Sequence, residues 1–478
     1  MYFYSPIFVF CFLPLTFIFS RILKSIKAKN AALALMSVVF YSFGQLQYVP
    51  LFLLSITLNY TAGRLLMKDF PWRKAVLVIS VVVNLGILTV FKYTGFLLRN
   101  VNAWFSLSIP IPVIILPIGI SFYTFQGMSY VIDTYREPQN GSKSFLKVAL
   151  FLSFFPQLIA GPIVKYHDIA SQIDNRNATA EDTAYGIRRF IVGMAKKILL
   201  ADTAGKVTAL VFDQGIQGLL GTMDFRLAWL GVVCYTLQIY YDFSGYSDMA
   251  IGLGSMFGFR FRENFLYPYG ASSMKEFWRR WHVSLSSWFK EYLYIPLGGN
   301  RRGKYRTALN KFIVFFCTGI WHGPEWTFVV WGLCHGLLTS LEDLDVIPVK
   351  KLEKTSAGRL LNKLYTLLAV MLLFAVFRAN DLTDAAKLFR VLFSPGVSAD
   401  STLVLIKTLT PALVFLLVVA IVCAGNLIPK LKAKMAGGFF ETSLAGTAIV
   451  NALSLGLFVL TVMCVSKGGF HPFIYFQF

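Results

Sequence analysis

The chain is short of charge, and of acid above all. Asp, Glu, Lys and Arg make up 14% of its 478 residues against 56% hydrophobic residues, with 24 acids to 45 bases. So little polar surface does not cover a water-soluble protein of this length. Apolar runs of roughly 20 residues recur from one end to the other, which is what bilayer-spanning helices require. The chain therefore reads as a polytopic, all-α integral membrane protein. A formal net charge of +21 would suggest nucleic acid in a soluble chain. Here no basic, aromatic-interleaved soluble domain exists to bind it. The bases sit in loops between apolar runs, where they orient helices and face anionic lipid headgroups.

Other absences narrow the field further. The six cysteines are scattered through apolar stretches without CxxC spacing, so neither a disulfide framework nor a zinc site is indicated. No Walker A or GxGxxG setting is present, which argues against an ATP-driven pump. No internal repeat or low-complexity segment stands out. The first apolar run, residues 6–19, has no basic residues before it and no small-residue cleavage site after it, so it reads as a retained helix.

In chain order, Arg21, Lys24, Lys27 and Lys29 follow that first run and place Met1 outside, with this loop in the cytoplasm. Runs at 31–43, 48–60 and 75–90 surround a second basic cluster, Arg64 to Lys74. Runs 111–131 and 146–164 are interrupted by Pro117 and Gly119 and by Pro156 and Gly161-Pro162. Broken helices at membrane depth are tolerated where they line protein or water. The polar stretch 168–184 reads as a surface loop. Asp242 and Asp248, in the run 226–256, are costly at membrane depth unless paired. They either line a site or brace helices.

From Met274, the residues Trp278, Trp281, Leu285, Trp288 and Tyr292 repeat at three- and four-residue steps. That spacing predicts one amphipathic helix lying in the membrane interface. The basic segment Asn300 to Arg306 follows and belongs in the cytoplasm, as do Lys350 to Arg359 and Lys430 to Lys434. The tail from His471 to Phe478 then falls outside, where aromatic residues ordinarily anchor a chain to the membrane boundary.

Only five histidines are present. One of them, His322, stands in Trp321-His322-Gly323-Pro324-Glu325-Trp326, between two apolar runs. Pro324 cannot continue the incoming helix, and it suits the first position of a new one with Gly323 as its cap. His322 is therefore expected at a helix break, near the turn of a membrane hairpin and just ahead of a helix N-terminus, whose positive end disfavours imidazolium. A polar residue there is a functional candidate. His335 and His167 lack a matching motif and read as structural.

Taken together, five stretches resemble the membrane-bound O-acyltransferase family, in its bacterial polysaccharide O-acetyltransferase branch. They are Pro117 to Gln126, Asp242 to Asp248, Glu276 to His282, Tyr294 to Arg301 and Trp321 to Gly323. The match is strongest from about residue 111 to 336 of a single membrane-embedded domain, 1–478. The resemblance implies a ring of tilted helices with re-entrant and interfacial helices around a central funnel, in a bacterial cytoplasmic membrane. By the same resemblance His322 matches the catalytic histidine, and His282 the second histidine of the signature. The implied donor is acetyl-CoA, with no metal, and the implied partners are an extracytoplasmic esterase-like acetyltransferase and a polysaccharide acceptor. The tail Phe473 to Phe478 resembles an aromatic acyl-relay motif whose tyrosine, here Tyr475, carries the acyl group. Asn300, Arg301 and Lys304 are candidates for the donor's phosphates, unless that loop merely faces lipid. Two other functions remain open at this point: D-alanyl or other acyl transfer to teichoic acid, and a non-enzymatic transporter of polymer or lipid-linked sugar.

Overall fold

A computed structural model describes residues 1–219, 221–435, 438, 440, 443–467 and 473–474. Every regular element among the described residues is helical. They divide into two compact units, Met1–Phe190 with Tyr246–Glu263, and Ile191–Gly245 with Asn264–Ile474.

The first unit is built on α1 (Leu13–Ile22), α2 (Ile26–Ser42), α3 (Val49–Leu66), α4 (Arg73–Phe105) and α5 (Ile120–Arg136). Ser25 caps α2 by accepting from the Ala28 N–H. The run 111–131 is helical only in its second part: residues 107–119 lie outside any helix, and Gly119, which takes φ 77°, opens α5. Asn59 and Asn84 exchange amide hydrogen bonds of 3.2 and 3.1 Å, joining α3 to α4 as polar residues do between apolar helices. Phe8, Phe12, Phe40 and Phe155 form an aromatic core. Residues 168–184 are not a loop. They fold into parts of two helices, Tyr166–Asp174 and Ala180–Ala195. Thr179 and Asp182 cap the second reciprocally, each side chain accepting from the other's backbone N–H.

The second unit takes the first part of α6 (Phe225–Met256), then α7 (Met274–Arg280), α8 (Val283–Phe289), α9 (Gly303–His322), α10 (Trp326–Asp343), α11 (Ser356–Arg378) and α12 (Leu444–Lys467). Its core gathers aromatic residues of α6, α7, α9, α10 and α11, and Ile474 belongs to the same cluster. Helices α9 and α10 form a close hairpin. A side chain on Gly332 would meet the Phe315 carbonyl oxygen at 2.5 Å and Gly319 Cα at 2.9 Å. Small residues are what allow two backbones to approach this closely.

Among the described residues four helices are long and apolar enough to cross a membrane: α3 with the turn before it, α4, α11 and α12. Ala399–Thr408 and Pro411–Ala424 make a fifth candidate, bent by 80° at Thr410 and its neighbours.

Candidate active site

The aromatic stripe expected as one interfacial helix is cut in two. It ends α7 at Arg280 and resumes as α8 at Val283, with His282 between them at φ 44°. Trp278, Trp281, Leu285, Trp288 and Tyr292 are all buried within the protein. Their spacing encoded a face turned toward the core. A left-handed histidine is uncommon and persists only where its surroundings fix it. Here Asn264 does so. Its carbonyl accepts from the Val283 N–H at 3.0 Å, and its Oδ1 accepts from the Ser284 N–H at 3.0 Å. The same Oδ1 lies 3.3 Å from His282 Nδ1. Because Oδ1 is an acceptor, the neutral ring carries its proton on Nδ1 and its lone pair on Nε2. His282 is wholly buried, with the Phe243 ring of α6 at 4.6 Å.

His322 is the last residue of α9, and α10 begins at Trp326 with Glu325 as its N-cap. Pro324 lies in the connection between the helices instead of opening α10. The histidine thus sits at the negative, C-terminal end of its own helix, and the positive end of the next is opposed to it. The helix-dipole argument from sequence therefore does not decide its charge. The ring is 3% exposed and lies among Trp321 at 5.0 Å, Trp331 at 5.0 Å and Phe377 at 5.3 Å. The Trp321 ring is also 6.2 Å from the ring of His282. One indole therefore neighbours both histidines, which are 40 residues apart in the chain.

Spacing alone did not disclose His335. It is buried beside this pair, its ring 4.7 Å from Trp331, and its Nδ1 accepts from Trp278 Nε1 at 3.2 Å. Its position one turn beyond Trp331 on α10 was the available signal.

Trp278 also lines a cleft of about 350 Å³ with Lys275, Arg279, Lys290, Lys311 and Thr318. Lys275 and Lys311 are bridged by Asp343. Among the described residues Arg279 and Lys290 have no acidic partner. Lys311, Val314, Phe315 and Thr318 continue along α9 toward His322 at helical spacing. Asn300, Arg301 and Lys304 are exposed and do not line this cleft. Their loop starts at its rim, where the Gly299 N–H bonds to the carbonyl of Tyr294.

Both acids of the Asp242 to Asp248 stretch are paired. Asp248 binds Arg189 in the first unit at 2.6 Å, and Asp242 binds Lys197 in the second at 2.6 Å. No group of three or more His, Cys, Asp or Glu able to hold a metal occurs among the described residues. Tyr475 lies outside the described residues.

Comparison with known proteins gives a consistent result. The model of the membrane-bound O-acyltransferase family matches residues 134–346, the part that carries both histidines. A probable alginate O-acetylase of Pseudomonas putida is 37% identical, over the whole of both chains. The peptidoglycan O-acetyltransferase of Helicobacter pylori is 36% identical over 81% of this chain and 79% of its own. The teichoic acid D-alanyltransferase of Bacillus subtilis is 26% identical over 54% of this chain and 65% of its own.

Proposed function

We propose, of a chain that belongs to the membrane-bound O-acyltransferase family, that it passes an acetyl group from cytoplasmic acetyl-CoA across the bacterial cytoplasmic membrane to O-acetylate a cell-envelope or extracellular polysaccharide. O-acyl transfer itself comes with the family. Polysaccharide acceptors are named for the relatives that match along most or all of the chain, while the D-alanyl transferases match about half of it. That difference favours acetyl over D-alanyl transfer.

The observation that carries the reading is the setting of His322, a buried imidazole at a helix break beside a second buried histidine. In the proposed reaction His322 takes the proton of the acceptor hydroxyl as its oxygen attacks the thioester carbonyl. The tetrahedral oxyanion collapses, the C–S bond breaks, and the departing thiolate recovers the proton. His282, its tautomer set by Asn264, directs its Nε2 side to orient the acyl group. Arg279 and Lys290 in the cleft suit the donor's phosphates, with Trp278 as a stacking face. Asn300, Arg301 and Lys304 stand at the approach to it. Tyr475 receives the acetyl group, and an extracytoplasmic esterase-like protein completes the transfer. A phenol is a better leaving group than an alkyl hydroxyl, so an acetyl-tyrosine ester stays reactive.

Polymer acetylation in cells carrying single variants tests this. His322→Ala is expected to reduce it by about 10²–10⁴-fold at normal protein level, with His282→Ala less affected. Tyr475→Phe should match His322→Ala. Near-normal acetylation in His322→Ala would turn the reading toward the transporter. Full activity in Tyr475→Phe would end the relay alone.

A further inference from the structure

The carboxylate of Asp242 does more than neutralise Lys197. Its Oδ1 lies 2.6 Å from Lys197 Nζ, and its Oδ2 accepts a hydrogen bond of 2.8 Å from the backbone N–H of Ile474. Lys197 Nζ also lies 4.8 Å from the centroid of the Phe473 ring and pairs with Asp202 at 2.8 Å. All four participating positions, Lys197, Asp242, Phe473 and Ile474, are buried. A buried ion pair is weak evidence for stability, because desolvation offsets most of the attraction. A buried pair whose free oxygen and cation are both spent on a segment more than 200 residues away has a specific job.

We infer that Lys197 and Asp242 form a dock for the C-terminal tail at Phe473 and Ile474, holding its backbone in one register, as the acyl relay proposed for that tail requires. Three features support this. The hydrogen bond is to backbone, so it fixes the chain's register whatever side chain stands at position 474. Ile474 packs in the same hydrophobic cluster as Trp331 and Phe377, the rings against His322. Asp242 precedes Phe243, the ring against His282, so one turn of α6 serves both the tail and that histidine. The turn is placed by Gly245, where a side chain would meet the Gly193 carbonyl oxygen at 2.8 Å and the Lys197 N at 3.2 Å. A tethered acceptor gains effective concentration only when the tether is positioned. Lys197 and Asp242 are thus positioning residues.

The dock rests on the reading of Tyr475 as acceptor, and its test separates the two. Ile474→Cys keeps the backbone N–H and supplies a probe. Its maleimide labelling in native membranes, resolved by peptide mass spectrometry, is expected to be slow in the otherwise unchanged chain. Asp242→Asn should speed it by about tenfold or more, the factor associated with one hydrogen bond to a charged group. Asp202→Asn, which removes the other carboxylate from the same lysine, should leave labelling slow. Phe473→Ala, which strands no buried charge, should speed labelling and guards against misfolding of Asp242→Asn. In chains with Ile474 intact, Asp242→Asn and Phe473→Ala should also lose polymer acetylation. Unchanged labelling in both variants, or an equal rise in Asp202→Asn, overturns the dock. Faster labelling with normal acetylation overturns its role in transfer. An active Tyr475→Phe would remove the relay without touching the labelling result.

Discussion

At the scale of single residues, the histidines divide by what holds them. His282 is legible in sequence through its resemblance to the second histidine of the family signature. Its left-handed backbone was not legible, because that conformation depends on Asn264, 18 residues upstream. Asn264 itself had no signal, since a lone Asn before an apolar segment reads as a loop residue. His167, by contrast, is half exposed and pairs through Nδ1 with Asp133 at 2.9 Å. That hydrogen bond, reinforced by nearby Asp168, holds its pKa above the ordinary 6.5. A group whose pKa is raised by folding adds stability that is fully present below its unfolded value and is lost as pH rises through its folded value. The first unit is therefore expected to melt at a higher temperature near pH 5.5 than near pH 8. In His167→Gln that pH dependence should shrink. Thermal unfolding of the detergent-purified protein over this range checks it, and an unaltered slope in the variant would reject the assignment.

Among the elements, the hairpin of α9 and α10 sets the depth and direction of His322. Its closeness follows from Gly319, Gly332 and Gly336, which present backbone to backbone. Gly332→Ala forces the helices apart at Phe315 and Gly319 and should destabilise the protein by about 1–3 kcal/mol, as overpacking generally does. Gly86→Ala on α4, where nothing lies within 4 Å, should be neutral or stabilising. Denaturation midpoints of the two variants compare them directly, and equal midpoints would argue against the hairpin contact. The hairpin was readable from two apolar runs and a Gly-Pro break. The two-residue shift in the start of α10 was not, because Pro suits both a first helical turn and an extended connection. The helices across 168–184 hid behind polarity, although Thr179 and Asp182 carried a capping signature in plain view.

On the scale of the whole molecule, the all-helical membrane architecture was legible from apolar runs, since the bilayer leaves little choice of backbone structure. Segments such as 111–131 and 146–164 were harder: the first is helical only from Ile120 and the second is split at Phe154, limits that hydrophobicity alone does not mark. Basic loops remain the guide to orientation. Lys29, Arg73, Arg301 and Lys432 are expected in the cytoplasm and Met1 and Phe478 outside. Cysteine substitutions at these positions, labelled in intact cells with a membrane-impermeant reagent, check each one. Labelling of position 301 from outside would reverse the path proposed for the donor. A last consequence concerns light. Trp278, Trp281, Trp321 and Trp331 are four of the chain's nine tryptophans, and Trp278 and Trp331 lie 5.7 Å apart. Rings this close couple their electronic transitions, and an imidazolium beside an indole quenches its emission. The histidine site therefore carries its own chromophore, and events there are readable in the protein's intrinsic fluorescence and near-ultraviolet circular dichroism without any added label.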